Sequence, residues 1–322
     1  QLIKWIQFAN TLKLRMILHL YNGANSNNVV PGFDVPGEIA KIEATDDVVP
    51  NTLSVPAGQF YIQPGQSAHI NPGFTSAKPT PYWRVWNTNE SGSGSQRDWA
   101  RASDYAIGYY TYNGDVRISR FYVAPAGGHQ GIVFGTPSGP AAPIGSDLSS
   151  VRGPGLATTA SDRGWIFTSV ESLFLQAEAR ERGIITQSTM PALTRAAMRE
   201  SFVWLGLTAA AADNLININL GFPDVDPDAG GGLFTIYTQK WFALNSIAPY
   251  EIWTDYRRMD YVLGAPVGYD AGPTLSVDPG RTSTVIPRRL FYPQSEYNYN
   301  PTNVAGEGTI NVFTGKIFWD LN

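Results

Sequence analysis

The chain has 322 residues, 43% of them apolar, with 23 basic against 27 acidic side chains and a formal net charge of −4. That apolar share excludes a disordered chain, no uninterrupted apolar run of about 18 residues exists to cross a membrane as a helix, and the intermixed charge excludes the basic stripe of a nucleic-acid binder. Cysteine is absent, which removes disulfides, thiolate chemistry and Cys-based zinc sites and fits an exported protein.

In chain order, residues 2–21 predict an amphipathic helix with Leu2, Trp5, Ile6, Ala9, Leu12, Met16 and Leu20 on a core-facing stripe, ended by Asn22-Gly23. Residues 24–97 are broken by Pro31, Pro36, Pro50, Pro56, Pro64, Pro72, Pro79 and Pro81 and read as loops. Short strands are expected near Phe60–Gln63 and Trp83–Trp86, and the Ser/Gly-rich stretch Glu90–Ser95 reads as a mobile loop. Residues 99–112 predict a helix, Val116–Val123 an extended segment, and the Gly/Pro-rich 124–160 a surface loop. Three helices follow. The first, 165–182, carries Ile166, Val170, Leu173, Phe174 and Ala177 on one stripe and stops at Gly183. The second, 188–205, has Ser188 as cap and Pro191 in its first turn, and the third, 208–218, has Thr208 as cap.

In the acidic stretch 222–232, Asp224, Asp226 and Asp228 alternate as in a calcium loop. Ala229 and Thr235 stand where that loop needs Gly and Glu, so a solvated acidic loop is the expectation. From Gln239 to Met259 the chain reads as two helices in tandem. Trp241, Leu244 and Ile247 recur in the first, Ile252, Trp253 and Tyr256 in the second, Pro249 opens the second, and Arg257–Arg258 fall at its end. Trp241, Trp253 and Trp319 are assigned to the core. The last roughly sixty residues read as a long loop with short strands.

Candidate chemistry is sparse. His19, His69 and His129 lie far apart, and no H-E-x-x-H, G-x-S-x-G, phosphate-loop or dinucleotide motif is present. Carboxylate pairs such as Asp46–Asp47 lack a recognisable partner across a cleft, as glycoside hydrolysis would need. No metal or cofactor is therefore expected. The aromatics in and beside the loops carry more. An exposed indole or phenol offers a flat apolar face to a sugar ring or a peptide side chain, and neighbouring Asn and Arg bond hydroxyls or amides. The candidate ligand-binding set is Tyr82, Trp83, Trp86, Asn87, Trp99, Tyr109 and Tyr110. Arg257–Arg258 and Arg288–Arg289 are expected to pin the C-terminal loop.

Six segments also fall in a telling order. They are WIQFANTLKLRMILHL (5–20); ASDYAIGYYTYNGDVRISRF (102–121), with Asn113-Gly114-Asp115-Val116-Arg117; and GWIFTSVESLFLQAEARERG (164–183), with Glu171 and Ala177-Glu178-Ala179. Then come QKWFALNSIAPYEIWTDYRRM (239–259), IPRRLFYPQSEYNYN (286–300) with Tyr292-Pro293-x-x-Glu296-x-x-x-Asn300, and KIFWD (316–320). This ordered set resembles the SusD/RagB-like outer-membrane nutrient-binding lipoproteins of Bacteroidetes-type bacteria, although the family usually has Asn-Asp-Pro-Arg at 113–117.

The resemblance implies a mainly α fold of tetratricopeptide-like helical pairs with long irregular loops and a few short strands. It implies one domain over 1–322 that lacks an N-terminal helical region and lipid anchor, supplied by a separate chain or removed. It implies a non-enzymatic lid on the extracellular face of the outer membrane, which captures an oligosaccharide or oligopeptide for a TonB-dependent SusC-like barrel transporter. The alternatives are a secreted hydrolase on a helical scaffold and a purely structural subunit of an outer-membrane complex.

Overall fold

The computed structural model describes residues 1–20, 33–43, 55–87, 100–139, 145–156, 158–262, 275–283, 286–287 and 289–315. In chain order its elements are α1 (Leu2–Leu20), α2 (Val35–Ile42), β1 (Ala68–Ile70), α3 (Pro81–Trp86), α4 (Asp104–Tyr112), α5 (Ile118–Phe121), β2 (Gly164–Phe167), α6 (Ser169–Glu181), α7 (Met190–Trp204), α8 (Ala209–Ile218), α9 (Leu233–Leu244), α10 (Pro249–Val262), α11 (Gln294–Tyr299) and α12 (Pro301–Gly306). The fold is mainly helical, with successive helices packed as pairs and one two-stranded antiparallel ribbon, β1–β2.

At the centre runs α6, buried at every position from Ser169 to Ala179. One core lies between it and α4, α7, α8 and α9, around Phe174, Phe202, Phe242 and Tyr110. A second lies on its other side, where Leu175 meets Leu14, Ile17 and Leu18 of α1 and the extended segment Phe60, Tyr61 and Ile62. Helix starts follow local chemistry. The side chains of Thr168, Thr189 and Thr208 each accept a bond from the amide three residues on, at the heads of α6, α7 and α8. Pro249 opens α10.

Several expectations are corrected. α1 buries Gln7, Thr11, Leu14, Ile17 and Leu18 and leaves Leu2, Trp5, Ala9, Leu12 and Met16 of the predicted stripe exposed, while Ile6 packs on the core and Leu20 is half-buried. The polar members of the buried face explain it. Thr11 Oγ1 accepts the Ile62 amide at 2.9 Å and Gln7 Nε2 donates to Gln59 O at 2.8 Å, so these side chains complete the backbone bonding of a buried loop. Residues 60–63 form no strand. Trp83–Trp86 is helical, with Pro81 opening the turn, and 116–123 contains α5 rather than an extended run. Residues 165–167, expected as the head of a helix, belong instead to β2, which pairs with β1. Thr189, not Ser188, caps α7, and Ser188 takes φ 62°.

Asp224 and Asp226 are buried rather than solvated. Asp226 accepts the amides of Gly221 and Asp228 and faces Arg195, while Asp228 is the exposed member of the series. Trp241 packs against the core, but Trp253 is exposed. Beyond residue 274 the described residues hold two short helices and no strand. In the Tyr292-to-Asn300 motif, which spans α11, Asn300 donates from its amide to Glu296 O at 2.8 Å and from Nδ2 to Glu296 Oε2 at 3.3 Å. Asn22-Gly23, Glu90–Ser95, Arg288 and Trp319 lie outside the described residues.

The helices around α6 are tied by buried charge. Arg15 lies 2.9 Å from Glu171 and 2.8 Å from Glu251, Lys240 lies 2.6 Å from Asp255, and Arg258 meets Asp255 at 2.5 Å and Glu178 at 3.0 Å. Arg258 also donates to Leu18 O at 2.8 Å. Among the described residues it thus pins α10 to α6 and α1, where a tie to the C-terminal loop had been expected.

Burial pushes the Glu171 carboxyl up from 4.5 to about 7, against the opposing pull of Arg15 and Lys240. A raised carboxylate favours folding most below its unfolded value and loses that contribution as pH rises through its folded one. Relative to a Glu171→Gln variant, the protein is therefore expected to lose stability between pH 4.5 and 7. Urea midpoints measured across that window check this, and identical pH slopes for both proteins would contradict it.

Candidate ligand-binding site

Pro81 supplies a preset φ at the head of α3, and the three-residue step from Trp83 to Trp86 sets both indoles on one side of a single helical turn. Tyr82 is the anchor. Its ring packs 5.1 Å from Trp165 and 6.5 Å from Trp86, and its hydroxyl donates to Val151 O at 3.4 Å. Trp165 continues inward, edge-on to Trp204 at 5.4 Å, with Nε1 donating to Ile247 O at 3.1 Å. A ladder of rings therefore joins α3 to the α9–α10 turn. Burial raises the Tyr82 phenol above its ordinary value and keeps it protonated. Trp83 and Trp86 are half-buried, Arg84 and Val85 are exposed, and half-buried Asn87 closes the turn with its amide on Trp83 O at 2.8 Å.

A polar depression of about 460 Å³ is lined by Asn71, Gly155, Leu156, Thr158, Ser161, Asp162 and Arg163. The Thr80 amide donates to Ala160 O at 2.8 Å, which lays the head of α3 against the depression's wall. That wall is a rigid turn. Asp162 accepts from the amides of Thr158 and Thr159 at 2.6 and 3.0 Å and from their hydroxyls at 3.0 and 2.8 Å. Partial burial disfavours the Asp162 charge, but the bonds from Thr159 and then Thr158 hold its carboxyl below the usual range. Arg163 donates to His69 Nε2 at 3.0 Å. Because a guanidinium only donates, Nε2 accepts, and Nδ1 carries the proton to Ser67 O at 2.9 Å. The head of α3 therefore lies against a turn of fixed donors and acceptors. The single carboxylate in the lining, Asp162, is already committed to four bonds.

Of the residues singled out from sequence, the structure brings Tyr82, Trp83, Trp86 and Asn87 together on α3. Tyr110 belongs elsewhere. It is fully buried, with its hydroxyl donating to Phe242 O at 2.6 Å. Tyr109 stacks on Phe242 with ring centroids 3.5 Å apart, donates to Asp224 O at 3.2 Å and receives Gln239 Nε2 at 2.8 Å. Both face α9 because the aromatic stripe of α4 is its core stripe, and the outward tyrosine is Tyr112. Their expected ligand role is withdrawn on that ground. Trp99 lies outside the described residues. The depression's residues carried no signal beyond the Thr158-Thr159…Asp162 spacing of a hydroxyl–carboxylate turn.

The SusD-like family profile, described as starch-binding and associating with the outer membrane, matches residues 66–293. The chain belongs to this family. Solved SusD homologues share its fold. One from Bacteroides fragilis is 18% identical with a TM-score of 0.69, covering 99% of this chain and 68% of its own. One from Bacteroides vulgatus is 20% identical with a TM-score of 0.67, covering 99% and 63%. A chitin-binding SusD homologue from Flavobacterium johnsoniae is 22% identical with a TM-score of 0.63, covering 99% and 64%. This SusD-like chain thus spans about two thirds of their length. No protein of curated function matches its sequence. Among the described residues of the SusD-like fold, no helix is long and apolar enough to cross a membrane.

Proposed function

We propose that this chain is the capturing part of a glycan-binding protein on the outer face of the outer membrane, which hands an oligosaccharide to a TonB-dependent barrel transporter without breaking a bond. The observation that carries the reading is the pairing of α3's indoles with the adjoining polar depression. A pyranose presents an apolar C–H face and a rim of hydroxyls. The indoles suit the first, and Asn71, Thr158, Ser161 and Arg163 suit the second. The family description and the chitin-binding relative favour sugar over an oligopeptide as cargo.

Calorimetric titration with starch and chitin oligosaccharides and with oligopeptides tests this. Binding of a sugar is expected, with the sugar recovered unchanged. Trp83→Ala and Trp86→Ala should each cost about 1–3 kcal/mol, roughly 5- to 150-fold in Kd, with far-UV circular dichroism unchanged. Binding of peptide alone would move the cargo to that class. Shortened sugars would make the protein a hydrolase, and full affinity in both variants would place the site elsewhere. The transporter hand-off predicts that a barrel of the outer membrane co-purifies with the protein in mild detergent.

A further inference from the structure

Charge is spread unevenly around the α3 site. The stretches that build it, residues 66–87 and 150–167, carry Lys78, Arg84, Arg152 and Arg163 against Asp162 alone, in a chain whose net charge is −4. The surplus of cations is therefore local to the site and runs against the composition of the whole. Cations gathered on one face of an acidic protein raise the concentration of anions there. Within the depression the two charges are used differently, although they are adjacent in the chain. Asp162 turns back into its own loop, onto the amides and hydroxyls of Thr158 and Thr159. Arg163 reaches across to β1, where Nη1 donates to His69 Nε2 at 3.0 Å and His69 is itself held on Ser67 O at 2.9 Å.

A guanidinium carries five N–H groups and accepts nothing. Among the described residues His69 is the one polar partner of Arg163, and it takes a single N–H from Nη1. The Nε–Nη2 edge is left whole, and its two parallel N–H groups match two oxygens of one anionic group. The hydroxyls of a neutral sugar are already met by Asn71, Thr158 and Ser161 in the same lining, and they do not call for a cation oriented in this way. We propose that the sugar taken here bears an acidic group, the carboxylate of a uronic acid or a sulfate ester, which the Nε–Nη2 edge of Arg163 receives. His69 is then a positioning residue, aiming that edge. The inference rests on the sugar-binding reading above and adds the charge of the cargo to it.

Matched oligosaccharides test it. Maltohexaose and chitohexaose are compared by calorimetry with counterparts oxidised to the carboxylate, or sulfated, at C6, so that ring and linkage stay the same. At about 10 mM salt an acidic counterpart should bind at least about tenfold tighter than its neutral parent. At about 1 M salt that advantage should shrink to about twofold or less, because exposed charges are then screened within about 3 Å. Arg163→Gln should bring the ratio of acidic to neutral affinity to about twofold or less, and Arg163→Lys, which keeps the charge but lacks the fork, should fall between. Should the variants fail to fold, the salt series on the unaltered protein still decides. Whichever acidic sugar gains identifies the group. Neutral sugars bound as tightly as both acidic forms would overturn the proposal and leave the sugar-binding reading standing. An acidic advantage kept in full by Arg163→Gln would overturn the assignment to Arg163, and binding of no sugar at all would remove both readings.

Discussion

Replacing Arg117 with Met is expected to cost about 3–5 kcal/mol, because it strands a buried carboxylate. Arg117 is fully buried, and Asp115 beside it is 1% exposed. The guanidinium donates to Asp115 through Nε at 3.1 and 3.0 Å and through Nη2 at 2.6 Å. Its other bonds run to Ser201 of α7 at 3.0 Å and Gln239 of α9 at 2.9 Å, and its cationic carbon lies 4.9 Å over the Phe202 ring. Gln239 passes the link to Tyr109 of α4 and to Asp224 O. One side chain therefore ties three helices and two loops. Urea denaturation measures the loss as a lower midpoint at unchanged slope. Combining Arg117→Met with Asp115→Asn should recover part of it, since the stranded charge is then gone. A loss under about 1 kcal/mol would show that the pair is not the tie described.

Glu178→Ala is expected to cost a similar amount, about 3–5 kcal/mol, by removing the buried carboxylate that Arg258 and Arg182 share. Its carboxylate accepts Arg258 at 3.0 and 3.1 Å, Arg182 at 2.9 Å and the Tyr237 hydroxyl at 2.8 Å. Burial works against the charge, yet Arg258 and then Arg182 hold the carboxyl down from 4.5 to about 2. A depressed carboxylate contributes above its unfolded value and loses that contribution as pH falls through its folded one. The wild type should therefore lose stability as pH drops from 4.5 toward 2, a loss that Glu178→Gln largely lacks. Acid titration of both proteins by circular dichroism checks this, and coincident acid midpoints would contradict it.

The segments that carried the family resemblance turn out to be these ties. Asp115 and Arg117 lie in the Asn113–Arg117 stretch, Glu171 and Glu178 in the α6 segment, and Arg258 in the tandem-helix segment. They were visible in sequence as an ordered pattern, but their roles were not, because the partners that join one element to another, such as Ser201 and Gln239 for Arg117 or Glu178 for Arg258, lie about 80 to 120 residues away. Helix boundaries were legible where a side chain or a ring sets them, as at Thr208, Gly183 and Pro249. α1 was legible in extent but not in facing. Leu and Ile lie on both of its sides, and the choice between them is made by Gln7 and Thr11, whose bonding partners sit fifty residues on. α3 was misread as a strand because Tyr, Trp and Val favour strands as well as fitting a single helical turn. Half of the candidate site was thus in view as aromatics. The other half is assembled from Asn71 with Gly155, Leu156, Thr158, Ser161, Asp162 and Arg163, which meet only after folding.

The central claim is that sugar rests on the α3 indoles with its hydroxyls bonded in the adjoining depression. A crystal structure with a bound starch or chitin oligosaccharide tests it most directly. The account predicts an intact sugar over Trp83 and Trp86, with bonds to Arg163 and to Asn71, Thr158 or Ser161. A sugar seated on another face of the molecule, or one cleaved where it lies, would contradict it.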